Sequence, residues 1–164
     1  MSTPTGCPIA LCEALAGGLN AAQQAQPATF ATAFTARREY TAFEELDSMR
    51  EDAAPLVLIV PQSDAEKRLG GGATPVFSGA YEVSLAIVKR VGIGEPARAR
   101  LDALMLLRQQ ILDWLKGVAL VVEGPRSTRA VLAEIESEPS YFHGVLAEKH
   151  VFLSETILRF TLAV

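Results

Sequence analysis

The spacing of apolar side chains changes several times along this chain, and each change predicts an element. Between Pro8 and about Gln26, Ile9, Cys12, Leu15, Ala16 and Leu19 recur at helical intervals; Pro8 suits a first turn, and Gly17-Gly18 weakens the middle. Phe30, Thr32, Phe34, Ala36, Arg38 and Tyr40 then fall on one parity, as a strand would place them. Leu56-Val57-Leu58-Ile59-Val60, held between Pro55 and Pro61, is a short apolar run that predicts a central strand covered on both faces. Gln62 to Pro75 is polar and broken by Gly70-Gly71-Gly72, which predicts a long loop with a turn of helix near Ala65 to Leu69.

Phe77, Tyr81, Val83, Leu85, Ile87 and Val91 alternate with Ser78, Glu82, Ser84 and Arg90, the signature of a half-buried antiparallel strand. After Gly92-Ile93-Gly94-Glu95-Pro96, the residues Leu101, Leu104, Met105, Ile111, Leu112 and Leu115 share one stripe, and Gly117 stands where the helix should stop. About 20 residues give this helix a length of roughly 30 Å. Leu107 and Trp114, seven apart beside the stripe, form a second apolar strip, offered either to a partner or, through Trp114, to the domain's own core. Val118 to Val122 and Ala130 to Glu136 read as short strands, and a polar hinge leads to a last strand over Val151 to Val164. On that strand Phe152, Leu158, Phe160 and Leu162 share the core parity. Val151, Leu153 and Ile157 form an apolar patch on the other face, to be covered by a helix or a neighbouring subunit.

These elements predict an α+β fold: one mainly antiparallel or mixed sheet of about four to six strands, packed by an N-terminal helix and a long central helix. At 164 residues the expectation is one domain spanning 1–164. The balance of 15 basic and 19 acidic side chains, a net charge of -4, offers no footprint for wrapping nucleic acid and no polybasic membrane signal. No apolar run reaches the roughly 18 residues of a membrane span, and Met1 to Gly6 lacks the positive start of a signal peptide, so a soluble protein of cytosolic origin is expected.

Candidate chemistry changes this picture little. Cys7 and Cys12 fit neither a C-x-x-C site nor a disulfide framework and read as small, partly buried apolar residues. Gly92-Ile93-Gly94-Glu95-Pro96-Ala97 matches G-x-G-x-x-A between a strand and a helix. It lies mid-chain after an alternating strand, and the acidic residue at the right distance, Asp113, falls inside the helix, so a tight turn is the better reading. Arg68 to Thr74 lacks the spacing and following helix of a phosphate loop. His143 and His150, even with Glu148, share no helical face that would bind a metal. There is no G-x-S-x-G elbow, and Glu44-Glu45 and Glu51-Asp52 lie in polar surroundings. The expectation is a protein without catalysis, cofactor or metal.

Candidate contact residues are easier to find. Arg37, Arg38 and Tyr40 bring two guanidinium groups and a phenol to a strand edge, and Arg and Tyr make strong interface contacts. Lys67 and Arg68 carry positive charge into the polar stretch, Trp114 belongs to the second helix strip, and Val151 and Leu153 form the outer patch of the last strand.

Taken in order, several segments resemble a family of small neck and tail-completion proteins of tailed bacteriophages. They are the N-terminal helix, Phe34 to Tyr40 with Phe43-Glu44-Glu45-Leu46, Leu56 to Pro61, Tyr81 to Arg90, the Leu101 to Leu115 helix, Glu136 to Tyr141, and Phe152 to Leu158. The resemblance implies a tail terminator of the minor tail protein U type: an α+β subunit forming a six-fold ring on the last ring of tail-tube protein, its other face turned to the head-completion proteins. It also implies a place in the virion after assembly in the host cytoplasm, DNA only as cargo through the lumen, and no catalytic residues. A head-closure (stopper) protein of the neck is the neighbouring role. From another class, a small cytosolic module could hold a peptide or small ligand with the Gly70 to Pro75 loop and the sheet edge.

Overall fold

The computed structural model describes residues 7–26, 29–42, 49–69, 76–123 and 128–163. The expected Gly70 to Pro75 loop, Phe43 to Leu46 and Gly124 to Arg126 lie outside the described residues. The chain runs α1 (Cys7–Ala25), β1 (Thr35–Arg38), β2 (Leu56–Leu69), β3 (Val76–Arg90), α2 (Glu95–Gly117), β4 (Leu120–Val122), β5 (Thr128–Glu136), α3 (His143–Lys149) and β6 (Val151–Ala163). Six strands form one sheet in the order β1-β2-β3-β6-β5-β4. Only β1 and β2 are parallel, so the sheet is mixed with a mainly antiparallel body. This is the expected α+β arrangement.

β3 and β6 are the paired centre, in register from Ser78 opposite Ala163 to Arg90 opposite Val151. Their alternation sorts side chains onto two faces. On one, Tyr81, Val83, Leu85, Ile87, Phe152, Leu158 and Phe160 join α1 (Leu11, Leu15, Leu19) and α2 (Leu104, Leu107, Ile111, Leu115) in the main core. On the other, Leu58, Val60, Ala86, Val88, Val151 and Leu153 form a smaller cluster under Ala42, Met49, Phe142 and Val145. The Leu56 to Val60 run is therefore buried on both faces, as expected for a short, uniformly apolar strand.

Four expectations need correction. β1 is four residues long rather than running from Phe30 to Tyr40; Phe30 and Phe34 instead pack edge-to-face at 5.2 Å and bury in the main core. Gln62 to Leu69 is strand, not loop: after a bulge between Pro61 and Ser63, β2 continues opposite Val76 to Glu82. Residues 62–68 are exposed because no layer covers either face of this extension, so no apolar alternation betrays the strand. A proline is tolerated at position 61 because β1 pairs β2 only as far as Ile59, leaving an edge beyond it.

Third, Leu107 is wholly buried in the main core with Leu104, Ile111 and Leu115, and Trp114 packs against the same core, so the second strip of α2 also faces inward. Fourth, Val151 and Leu153, named as contact residues, are 0% and 1% exposed; of the two covers expected for them, a helix or a neighbouring subunit, it is the chain's own helix α3 that packs there. The hinge before it folds back along β6: Phe142 N–H donates to Leu153 O at 2.8 Å, Ser154 Oγ to Ser140 O at 2.7 Å, and Ser137 Oγ to Thr156 Oγ1 at 3.0 Å. The short helix α3 that follows ends on His150, held at φ 56, whose N–H bonds Leu146 O. Segment 49–53 is pinned beside it, with Arg90 Nε donating to Met49 O at 2.7 Å and Lys89 Nζ to the carbonyls of Glu51 and Ala53.

If Leu153 closes a core inside one chain, Leu153→Ala should lower the stability of dilute, monomeric protein by about 2–5 kcal/mol in urea denaturation. An unchanged midpoint would return Leu153 to the surface.

Candidate functional site

The β1 edge carries Arg37, Arg38 and Tyr40, and the structure spends much of their charge internally. Arg38 Nε lies 2.8 Å from Glu13 Oε1 on α1, and its guanidinium sits 5.2 Å from the centre of the Tyr40 ring. The hydrogen bond to Glu13, ahead of the contact with Tyr40, raises the Arg38 pKa further above its ordinary value. Arg37 Nε lies 3.0 Å from Glu39 Oε1. Tyr40 remains 69% exposed, the most open aromatic ring among the described residues.

The backbone of this edge is sealed by side-chain amides that imitate a strand. Asn20 donates Nδ2 to Ala36 O at 2.8 Å and accepts Ala36 N–H at 3.0 Å. Gln23 does the same for Phe34, at 2.8 Å and 3.1 Å. The groups that would template another strand are thereby satisfied, so β1 offers side chains to a partner rather than a ladder. Sequence reading missed this pair, although two amides three apart on the polar side of a helix are its only signal.

Lys67 and Arg68 stand on opposite faces of the exposed β2 extension and do not meet the β1 group. Trp114 is half-buried where α1, α2 and β4 converge: a Cβ on Gly18 would lie 3.1 Å from its ring. An open groove of about 500 Å³ runs beside it, lined by Ala14, Gly18, Ala21, Ala25, Trp114 and Val121 among others. The sequence-predicted contact residues are therefore spread over separate surfaces, with Val151 and Leu153 removed from all of them.

Two features escaped the sequence. Arg159, on the outer face of β6, is gripped by Glu82 of β3 (3.2 Å) and by Glu134 and Glu136 of β5 (2.9 Å each), and their hydrogen bonds, Glu82 first, raise its pKa. Strand parity alone could have placed Arg159 and Glu82 on one face. Glu134 joins them only through a bulge between Leu132 and Glu134. Arg108 is the second: it sits inside the apolar stripe of α2, between Leu104 and Leu112, and is 9% exposed.

The Gly92 to Ala97 turn is filled by the chain itself. Gly92 and Gly94 take φ 75 and 94, and a Cβ on Gly92 would fall 2.5 Å from Glu51 Oε1. Glu51 pairs with Arg100, whose Nη1 also donates to Val91 O at 2.8 Å. A carboxylate thus lies against the Gly92 end of the turn. His143 stacks on Tyr141 at 4.3 Å, and His150 caps α3 at the opposite end. Among the described residues no group of three His, Cys, Asp or Glu side chains is arranged to hold a metal ion, and no helix is long and apolar enough to cross a membrane. Cys12 is wholly buried, and burial pushes its thiol up to about 12.

Compared with models of known families and with curated protein sequences, the chain matches none.

Two measurements check this geometry. The Arg100 guanidinium holds the Glu51 carboxyl below the usual range, so their contact is complete above ordinary carboxylate pKa values and is lost as pH falls through the lowered one. An NMR titration should place Glu51 below a free glutamate and return it to the ordinary value in Arg100→Met; an ordinary value in the native chain would contradict the pairing. Native protein at pH 8 should leave Cys12 unmodified by iodoacetamide and label it on unfolding. Rapid native labelling of Cys12 would show that its cover opens.

Proposed function

We propose that this chain is a virion structural protein, a tail terminator that assembles into a ring on the end of the tail tube and joins it to the head-completion proteins. The observation that carries the reading is a sheet whose two faces are finished differently. One is covered by α1 and α2. Among the described residues the other is covered only where α3 and Met49 lie, leaving Glu82, Glu134, Glu136, Arg159 and the 57% exposed Val131 outside that cover. Ring assembly is heterologous and needs two unlike surfaces on each subunit, not one self-complementary patch. A helix layer on one side and a half-bare acidic sheet on the other supply such a pair. The segmental resemblance to phage neck proteins supplies the role.

Self, tail-tube protein and head-completion proteins are the partners in this reading, and DNA passes through the lumen as cargo past a net negative chain. Its place is the virion, after assembly in the host cytoplasm. A stopper ring would use the same surfaces at the head side of the neck. The groove beside Trp114 favours one reading of another class, a module that holds an apolar peptide or small ligand there.

Electron microscopy of particles made without this protein decides among them. The terminator reading expects free heads and tails of irregular length; tails of normal length joined to heads would sink it.

A further inference from the structure

Arg108 is the least explained charge in the described structure. Only 9% of the residue is exposed, and its Nε is enclosed with no hydrogen-bond partner among the described residues. Its neighbours one helical turn away are Leu104, Met105, Ile111 and Leu112, all packed in or against the main core. No carboxylate among the described residues answers it, and burial lowers its pKa. By contrast, the described ion pairs of Arg38, Arg50, Arg100 and Arg159 each hold at least one acid.

An enclosed guanidinium Nε–H without a partner costs the fold stability, because that donor gives up water and receives nothing. An apolar residue of similar length would serve the α2 stripe better. The natural complement of the part of this guanidinium that remains exposed is a carboxylate, which accepts from the fork. This chain carries such groups in excess on the far side of the sheet. Glu82, Glu134 and Glu136 share the single guanidinium of Arg159, and Glu155 is held only by Ser84 Oγ at 2.7 Å.

We infer that Arg108 is an assembly anchor, an unpaired cation on the helix layer that receives a carboxylate from the acidic sheet face of a second copy of this chain. The two groups lie on opposite sides of the sheet, so the contact is head-to-tail and propagates from copy to copy, which a ring requires. The inference rests on the ring reading for the identity of the partner. Its physical core is a trade: the residue weakens the free subunit and strengthens the assembled one.

Four chains test it: native, Arg108→Met, Arg108→Lys, and the double variant Glu134→Gln with Glu136→Gln. Thermal unfolding of dilute protein should show Arg108→Met melting a few degrees above native. Sedimentation velocity over a dilution series should show the same variant self-associating about thirtyfold more weakly or worse, with Arg108→Lys intermediate. The double variant should also associate more weakly, since its acids are the proposed acceptors.

An Arg108→Met chain that melts below native overturns the inference by making the guanidinium part of the fold. One that associates as native does also, and leaves the ring reading standing. A native chain that never associates overturns both. A short DNA duplex bound by native protein and lost in Arg108→Met would give the cation to phosphate and overturn the carboxylate assignment.

Discussion

The pairing of β3 with β6 is the constraint on which the rest depends. Both strands lie at the centre of the sheet and are apolar on both faces over the half that contains Leu85 to Val88 and Val151 to Leu153. Two layers must therefore cover them there, and one helix layer cannot. The main core is closed by α1 and α2, as in any open sheet with an apolar face. The second closure is assembled from smaller parts: the hinge, α3 and the segment around Met49, tied down by Arg90, Lys89 and Ser154. Where β3 and β6 continue to Ser78 and Ala163, the outer face turns polar and no cover follows. The border between covered and bare sheet is thus written into β6, which changes from Val151 and Leu153 to Glu155 and Arg159 on that face.

The two ends of the sheet follow from the same economy. A strand edge that is left unpaired invites association with any other chain. At β1 this is prevented by Asn20 and Gln23, which also fix α1 against the sheet. α1 additionally packs on β4, so one helix touches strands from both ends of the sheet order. That arrangement leaves contacts to be made through side chains and faces, which can be specific, rather than through bare ladders, which cannot. The exposed β2 extension is the exception, and its Ser63, Asp64, Glu66, Lys67 and Arg68 supply the charges and polarity that discourage indiscriminate pairing.

Much of the architecture was legible because burial imposes periodicity. The α2 stripe, the alternation of β3 and the continuous run of β2 each record the layer that covers them, and the mixed α+β class follows from their order. The errors share one cause. The β2 extension leaves no apolar record because neither face is covered, and Phe30 and Phe34 alternate like strand residues although they fill the core from irregular backbone. Val151 and Leu153 were correctly placed on the second face of β6. Their cover was not readable, since α3 is seven residues long and has no stripe of its own. The contact residues were legible only as types. Arg and Tyr at β1 could be named, but that Glu13 and Glu39 already hold the two cations depends on tertiary geometry. Arg108 escaped notice inside an apolar stripe, and only the structure shows that no described residue answers its Nε.

A fold finished differently on its two sides, with its β1 edge sealed, is suited to head-to-tail assembly. Native mass spectrometry of the purified chain, alone and with tail-tube protein, tests that claim most directly. The account predicts one closed oligomer of more than two copies, each subunit engaged through two unlike surfaces. A chain that remains monomeric under both conditions, or stops at a symmetric dimer, would contradict it.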